Sequence, residues 1–152
     1  MSKRVIMFVC TGNVCRSPMA EYLLRQRLGP GADWEVCSTG TSAMSGMTAS
    51  FSAVEVLNEG GIDLSPHRSR PLTRELVDTA SLIVVMAAGH RDFIRTVYPD
   101  AVEKVFLLKS FDQGHQGDVE DPIGMTADTY RQIRNEIERA LPGVMSFMKT
   151  LE

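Results

Sequence analysis

Apolar positions along this chain fall into two recurring patterns: short unbroken runs, and longer stretches with helical spacing. Val5 to Val9 is an unbroken run rich in branched side chains. Such a run suits a strand buried on both faces of a parallel sheet. Trp34 to Ser38, "SLIVVMA" at 81–87 and "KVFLL" at 104–108 read as three further strands. Between them the spacing changes. Ala20, Leu23, Leu24 and Leu28 share one helical face, and the helix stops at Gly29-Pro30. Its start is predicted at Ser17 as N-cap, with Pro18 as first helical residue.

Ala53, Val54, Val56 and Leu57 predict a second helix, ending near Gly60-Gly61. The chain turns at Ser65-Pro66-His67, and Thr73 is placed to cap a short helix containing Leu76 and Val77. A helical stretch to about Val97 follows the third strand. Residues 111–125 are polar and glycine-rich and predict a surface loop. From Thr126, the spacing of Tyr130, Ile133, Ile137 and Leu141 marks an amphipathic C-terminal helix. Pro142-Gly143 predicts a kink or interruption there, because proline lacks the amide donor. Strands alternating with helices predict an α/β fold with a mainly parallel sheet and right-handed crossovers. In such folds ligands sit at the carboxyl ends of strands.

Composition narrows the picture without redirecting it. The 152 residues suit one domain, 1–152, and there is no internal repeat, low-complexity tract or linker. A formal net charge of -3 carries no global nucleic-acid or membrane signature. No apolar stretch approaches the roughly 18 residues that span a bilayer. The start "MSKRVIMFVC" has an apolar part too short for a signal sequence, so a cytoplasmic location is expected. Three cysteines make a poor disulfide framework, and reduced thiols are expected.

The candidate chemistry follows the first strand. "CTGNVCRSP" at 10–18 sets Cys10 and Arg16 at the ends of a short loop running into a helix. Such a loop can curl its amides inward, and the helix amino end adds partial positive charge. Arg16 brings a planar guanidinium matched to two phosphate oxygens. Gly12 permits torsions that other residues resist, and Asn13 tolerates a left-handed conformation. The positive surroundings favour a thiolate at Cys10, to which the Ser17 hydroxyl can donate. Further on, "DVEDPIG" carries Asp118, Glu120 and Asp121. A phosphoryl transfer to Cys10 needs a proton for the leaving group, and Asp121 before Pro122 is the favoured acid.

Other anion sites do not match. There is no Gly-Lys-Ser or Gly-Lys-Thr of a Walker loop and no G-x-G-x-x-G at this loop. His67, His90 and His115 are dispersed and form no ligand pair, so no metal is expected.

The sequence resembles the low-molecular-weight protein-tyrosine phosphatase family, including its bacterial protein-arginine phosphatase branch. The carrying residues are Cys10, Gly12, Asn13, Cys15, Arg16, Ser17 and Pro18, with Asp121-Pro122. The match continues through "STG" at 38–40, "AVEVL" at 53–57, "PLT" at 71–73 and "TYRQIRNEIE" at 129–138. The resemblance implies a flavodoxin-like three-layer fold, with a central four-stranded parallel sheet, helices on both faces, and no metal or cofactor. It implies Cys10 as nucleophile, Arg16 as phosphate clamp and Asp121 as acid and base. Thr11, Gly12, Asn13, Val14, Cys15, Arg16 and Ser17 would form the phosphate cradle, with His67 in support. Cys15 matches the second cysteine that can form a protective disulfide with Cys10. Cys37 is expected to be a small core residue.

The resemblance leaves substrate choice between two chemistries. Tyrosine-specific members place aromatic residues after the Asp-Pro pair, where this chain has Ile123-Gly124, and its second wall offers Met44, Met47 and Phe51. At Val14 tyrosine-specific relatives have isoleucine or leucine and the arginine branch has threonine, and valine matches threonine in shape without the hydroxyl. The segment from His115 to Pro122 echoes a pattern of the arginine branch. Phosphotyrosine on protein substrates is the first expectation and phosphoarginine the second. An arsenate reductase would need redox cysteines near 86–93, where there are none, and a non-catalytic phosphate-binding module would need neither Cys10 nor Asp121. A monomer is expected, with phosphorylated proteins as partners and no nucleic acid or membrane.

Overall fold

A computed structural model describes residues 3–152. Four strands are formed, β1 (Arg4–Cys10), β2 (Trp34–Gly40), β3 (Leu82–Val85) and β4 (Val105–Leu107). They make one sheet in the order β2-β1-β3-β4, with every pair parallel. The helices are α1 (Arg16–Leu28), α2 (Phe51–Asn58), α3 (Arg74–Thr79), α4 (Ala88–Val97) and α5 (Ala127–Thr150).

The unbroken apolar run of β1 works because both of its faces are covered. Ile6 and Phe8 point to one side and Met7 and Val9 to the other, and all four are fully buried. Ile6 and Phe8 pack with Met19, Leu24, Val56, Ile137 and Leu141, which places α1, α2 and α5 on that face. Met7 and Val9 pack with Val77, Ile83 and Ile94, from α3, β3 and α4 on the opposite face. This is the three-layer α/β arrangement expected from the sequence. Truncating a side chain as fully enclosed as Phe8 to alanine would cost about 3–5 kcal/mol.

β2 runs two residues beyond its predicted end, because Thr39 and Gly40 pair with Val9 and Cys10. The expected break at Pro142-Gly143 does not interrupt α5, which is one helix of 24 residues. Ala140, Leu141 and Val144 around the proline are fully buried, and that packing offsets the one missing donor. Gly143 has its own reason: a Cβ there would collide with the Phe111 carbonyl oxygen and lie 3.1 Å from its carbon.

The order β2-β1-β3-β4 reverses direction between β1 and β3. Chains leaving the carboxyl ends of these two strands diverge to opposite faces, opening a crevice there. The loop after β1 and the start of α4 after β3 therefore meet at one point. No helix among the described residues is long and apolar enough to cross a membrane.

Candidate active site

The loop from Cys10 to Arg16 is held by its carbonyls. Those of Cys10 and Thr11 accept from Thr41 and Ser42 N–H at 2.9 Å each, and that of Val14 accepts from Ser50 N–H at 2.9 Å. The Asn13 carbonyl accepts from His67 Nε2 at 2.7 Å. In a trans peptide the N–H of the next residue points the opposite way. With these carbonyls tied to the scaffold, the amides of Thr11, Gly12, Val14 and Cys15 turn toward the other side. On that side is a cavity of about 160 Å³ lined by Cys10, Thr11, Gly12, Val14, Cys15, Arg16, Asp121 and Ile123. The unpaired first-turn amides of α1 add to the positive field.

Gly40 allows this close packing, since a Cβ there would strike the Thr11 carbonyl oxygen and lie 3.0 Å from Asn13 N. The left-handed residue of the loop is Asn13, at φ 57°, and not Gly12. Asparagine tolerates that conformation, and its buried side chain holds it in place. Asn13 Nδ2 donates to Ser17 Oγ at 2.8 Å and to Ser38 Oγ at 2.9 Å, while its Oδ1 accepts from Arg70 N–H at 3.0 Å.

Ser17 departs from its expected place. α1 begins at Arg16 with Cys15 in the N-cap position, so Ser17 lies inside the first turn. Its hydroxyl does not cap the helix but sits 2.9 Å from Cys10 Sγ. The chain of bonds assigns directions. Ser38 Oγ donates to the buried Glu21 carboxylate at 2.6 Å, so it receives the Asn13 proton. Ser17 Oγ receives the other Asn13 proton, leaving its own hydrogen to point at Cys10 Sγ, 2.9 Å away, or at the Thr39 carbonyl, 3.3 Å away.

The Arg16 guanidinium is 6% exposed and donates to the Val119 carbonyl at 3.0 Å. It lies 3.6 Å from Asp121 Oδ2, while Asp121 Oδ1 accepts from Ile123 N–H at 3.1 Å. Asp121 is thereby aimed at the cavity and half-exposed. Its neighbours do other things: Asp118 accepts from Ala88 N–H at 2.9 Å, and Glu120 is exposed and does not line the cavity.

Cys15 is buried beside Ser50 Oγ and Tyr130 Oη, each at 3.3 Å from its sulfur. Burial pushes its thiol upward, and burial likewise pushes the Tyr130 phenol up to about 12. Cys10, Cys15 and Cys37 are free thiols, and Cys37 packs on the opposite face of the sheet from Cys10. Burial lowers the pKa of His67, in keeping with a neutral ring that donates to Asn13. Among the described residues, no group of three or more His, Cys, Asp or Glu is placed to hold a metal ion.

The family description "Low molecular weight phosphotyrosine protein phosphatase" matches residues 5–152. This chain belongs to that family. The phosphatase is 43% identical over 145 residues to a protein-arginine-phosphatase of Geobacillus stearothermophilus, covering 95% of this chain and 96% of the relative. It is 45% identical over 119 residues to the probable low molecular weight protein-tyrosine-phosphatase EpsP of Ralstonia solanacearum, covering 78% of each. Among solved structures, it superposes on the YwlE arginine phosphatase of G. stearothermophilus with a TM-score of 0.88 at 42% identity, covering 97% of this chain and 94% of that one. The low molecular weight protein tyrosine phosphatase of T. tengcongensis also gives 0.88, at 40% identity and with coverage of 95% and 99%.

Two parts of the candidate site carry little local signal in the sequence. His90, one of three histidines dispersed along the sequence, is buried with Nε2 2.9 Å from Thr11 Oγ1. Val119 supplies the carbonyl that aims Arg16. The one available signal was position: His90 follows the third strand, whose carboxyl end borders the crevice.

Proposed function

We propose that the protein hydrolyses phosphotyrosine on proteins through a phosphocysteine intermediate. The observation that carries this reading is the single cavity shared by Cys10, Arg16 and Asp121, backed by inward-facing amides. Cys10 Sγ attacks phosphorus, and the phosphoryl oxygens are held by the loop amides and Arg16. Ser17 donates to the sulfur, steadying its anionic form. The bond from phosphorus to the leaving oxygen breaks as Asp121 delivers a proton to that oxygen. Asp121, now a carboxylate, removes a proton from water, which attacks the phosphocysteine. Inorganic phosphate departs and the Cys10 thiolate returns. Every group in these steps comes from one chain, so a monomer suffices, and three free thiols suit a reducing, cytoplasmic compartment.

The walls favour an aromatic leaving group. Val14 and Ile123 line the cavity, and Ile123 is 57% exposed at its rim. Met44, Met47 and Phe51 are exposed and do not line the cavity itself; Met44 and Met47 lie between Ser42 and Ser50, which are pinned to the loop. The apolar contacts offered by Val14 and Ile123 suit a phenyl ring. Phosphoarginine is the second reading, favoured by the 43% identity to protein-arginine-phosphatases of two bacilli.

The test is kcat/KM on matched phosphotyrosine and phosphoarginine peptides, with rapid quench to trap phosphate on sulfur. Faster phosphotyrosine turnover with label on Cys10 is expected. Preference for phosphoarginine would install the second reading, and label elsewhere would overturn the mechanism. Val14→Thr should raise the phosphoarginine-to-phosphotyrosine ratio by about 10–200-fold, the range for one wall contact.

A further inference from the structure

His90 belongs to α4, 79 positions from Thr11, yet the two side chains meet at 2.9 Å. The ring is held from both sides. Ala87 N–H donates to Nδ1 at 3.1 Å, so Nδ1 carries no proton and Nε2 carries it. Nε2–H must then donate to Thr11 Oγ1. Arg16 also donates toward the same oxygen, at 3.4 Å. A hydroxyl has two acceptor lone pairs and one hydrogen. With both lone pairs engaged, the Thr11 hydroxyl acts only as a donor, and Thr11 lines the cavity.

We propose that His90 is a positioning residue that commits the Thr11 hydroxyl to donate a hydrogen bond to a phosphoryl oxygen in the cavity. The inference rests on the phosphatase reading of that cavity. It differs from a packing role in that the imidazole must be neutral and in one tautomer. The surroundings act accordingly. Burial and then the Arg16 charge bring its pKa down to about 4, against the opposing pull of Asp118 and Asp121. The ring is therefore uncharged across the neutral range. A protonated ring would lose the Ala87 bond and face the Arg16 guanidinium.

Two measurements on the full chain test this. Ring-nitrogen NMR at pH 7 should find His90 neutral with its proton on Nε2. A proton on Nδ1, or an imidazolium, would overturn the proposal without any variant. The second is a cycle of Thr11→Val, His90→Phe and the double variant, read as inorganic phosphate affinity by calorimetry and as kcat/KM. Each single variant should lose about 10–100-fold in phosphate affinity, the scale of one hydrogen bond to a charged group. The double variant should be no worse than Thr11→Val alone. Penalties that multiply would make His90 a packing residue, and an unchanged Thr11→Val would show that its hydroxyl does not reach the anion. If the parent turns over neither phosphopeptide yet the cycle in phosphate affinity holds, the phosphatase reading fails and the positioning role stands.

Discussion

Replacing Asn13 tests how the cradle is built, because the residue combines a left-handed backbone with three side-chain hydrogen bonds. Ordinarily alanine is the milder replacement and glycine the harsher one. Here the order should reverse. Both variants lose the bonds to Ser17, Ser38 and Arg70, at about 1 kcal/mol each. Alanine at φ 57° adds roughly 1–2 kcal/mol of backbone cost. Glycine avoids that cost but gains unfolded-state freedom worth about 0.4–1 kcal/mol. Asn13→Gly should therefore lose about 3–4 kcal/mol and Asn13→Ala a further 0.5–1 kcal/mol or so. Urea denaturation measures both, and melting temperatures should fall by about 2–4 °C per kcal/mol. Both variants should also lose activity, because Ser17 loses the Asn13 donor that holds its oxygen 2.9 Å from Cys10 Sγ, and its hydroxyl can then swing away from the sulfur. An Asn13→Ala protein at least as stable as Asn13→Gly would refute the backbone argument. Full activity in both would refute the link through Ser17.

Asp121→Asn should slow turnover by about 10²–10⁴-fold for poor leaving groups and far less for a nitrophenyl ester, and a uniform penalty would remove Asp121 as the acid. Cys10→Ser should abolish turnover while phosphate binding by calorimetry persists, since serine is a far weaker nucleophile at neutral pH. Gly143→Ala should destabilise despite alanine's helix preference, because backbone of Phe111 occupies the space, whereas Gly89→Ala in α4 meets nothing within 4 Å and should be neutral or stabilising in the same melts. His90 is held at about 4 in the folded state against about 6.5 unfolded, so the unfolded chain binds more protons between those values. Its contribution to stability is complete above about pH 6.5 and is lost as pH falls toward 4, and a His90→Phe variant should show a flatter stability profile across that window.

Elements whose signals are local were legible in the sequence. The run Val5 to Val9 had to be enclosed on both faces, because no polar position breaks it. The helical spacing of α1 and α5 marked their buried faces, and the spacing from Cys10 to Arg16 placed thiol and guanidinium at one loop. Where the reading failed, tertiary contacts outweighed a local preference. Ser17 has the residue type of an N-cap, yet its hydroxyl is drawn to Cys10 and Asn13. Pro142 has the type of a helix breaker, yet its helix is kept whole by buried neighbours. The partners that aim the chemistry are distant in sequence: Val119 lies 103 positions from Arg16, Tyr130 lies 115 from Cys15, and His90 lies 79 from Thr11. Periodicity reports only which face of an element is buried. The strand order β2-β1-β3-β4, and with it the meeting of the β1 loop and α4, is decided by how those faces pack together.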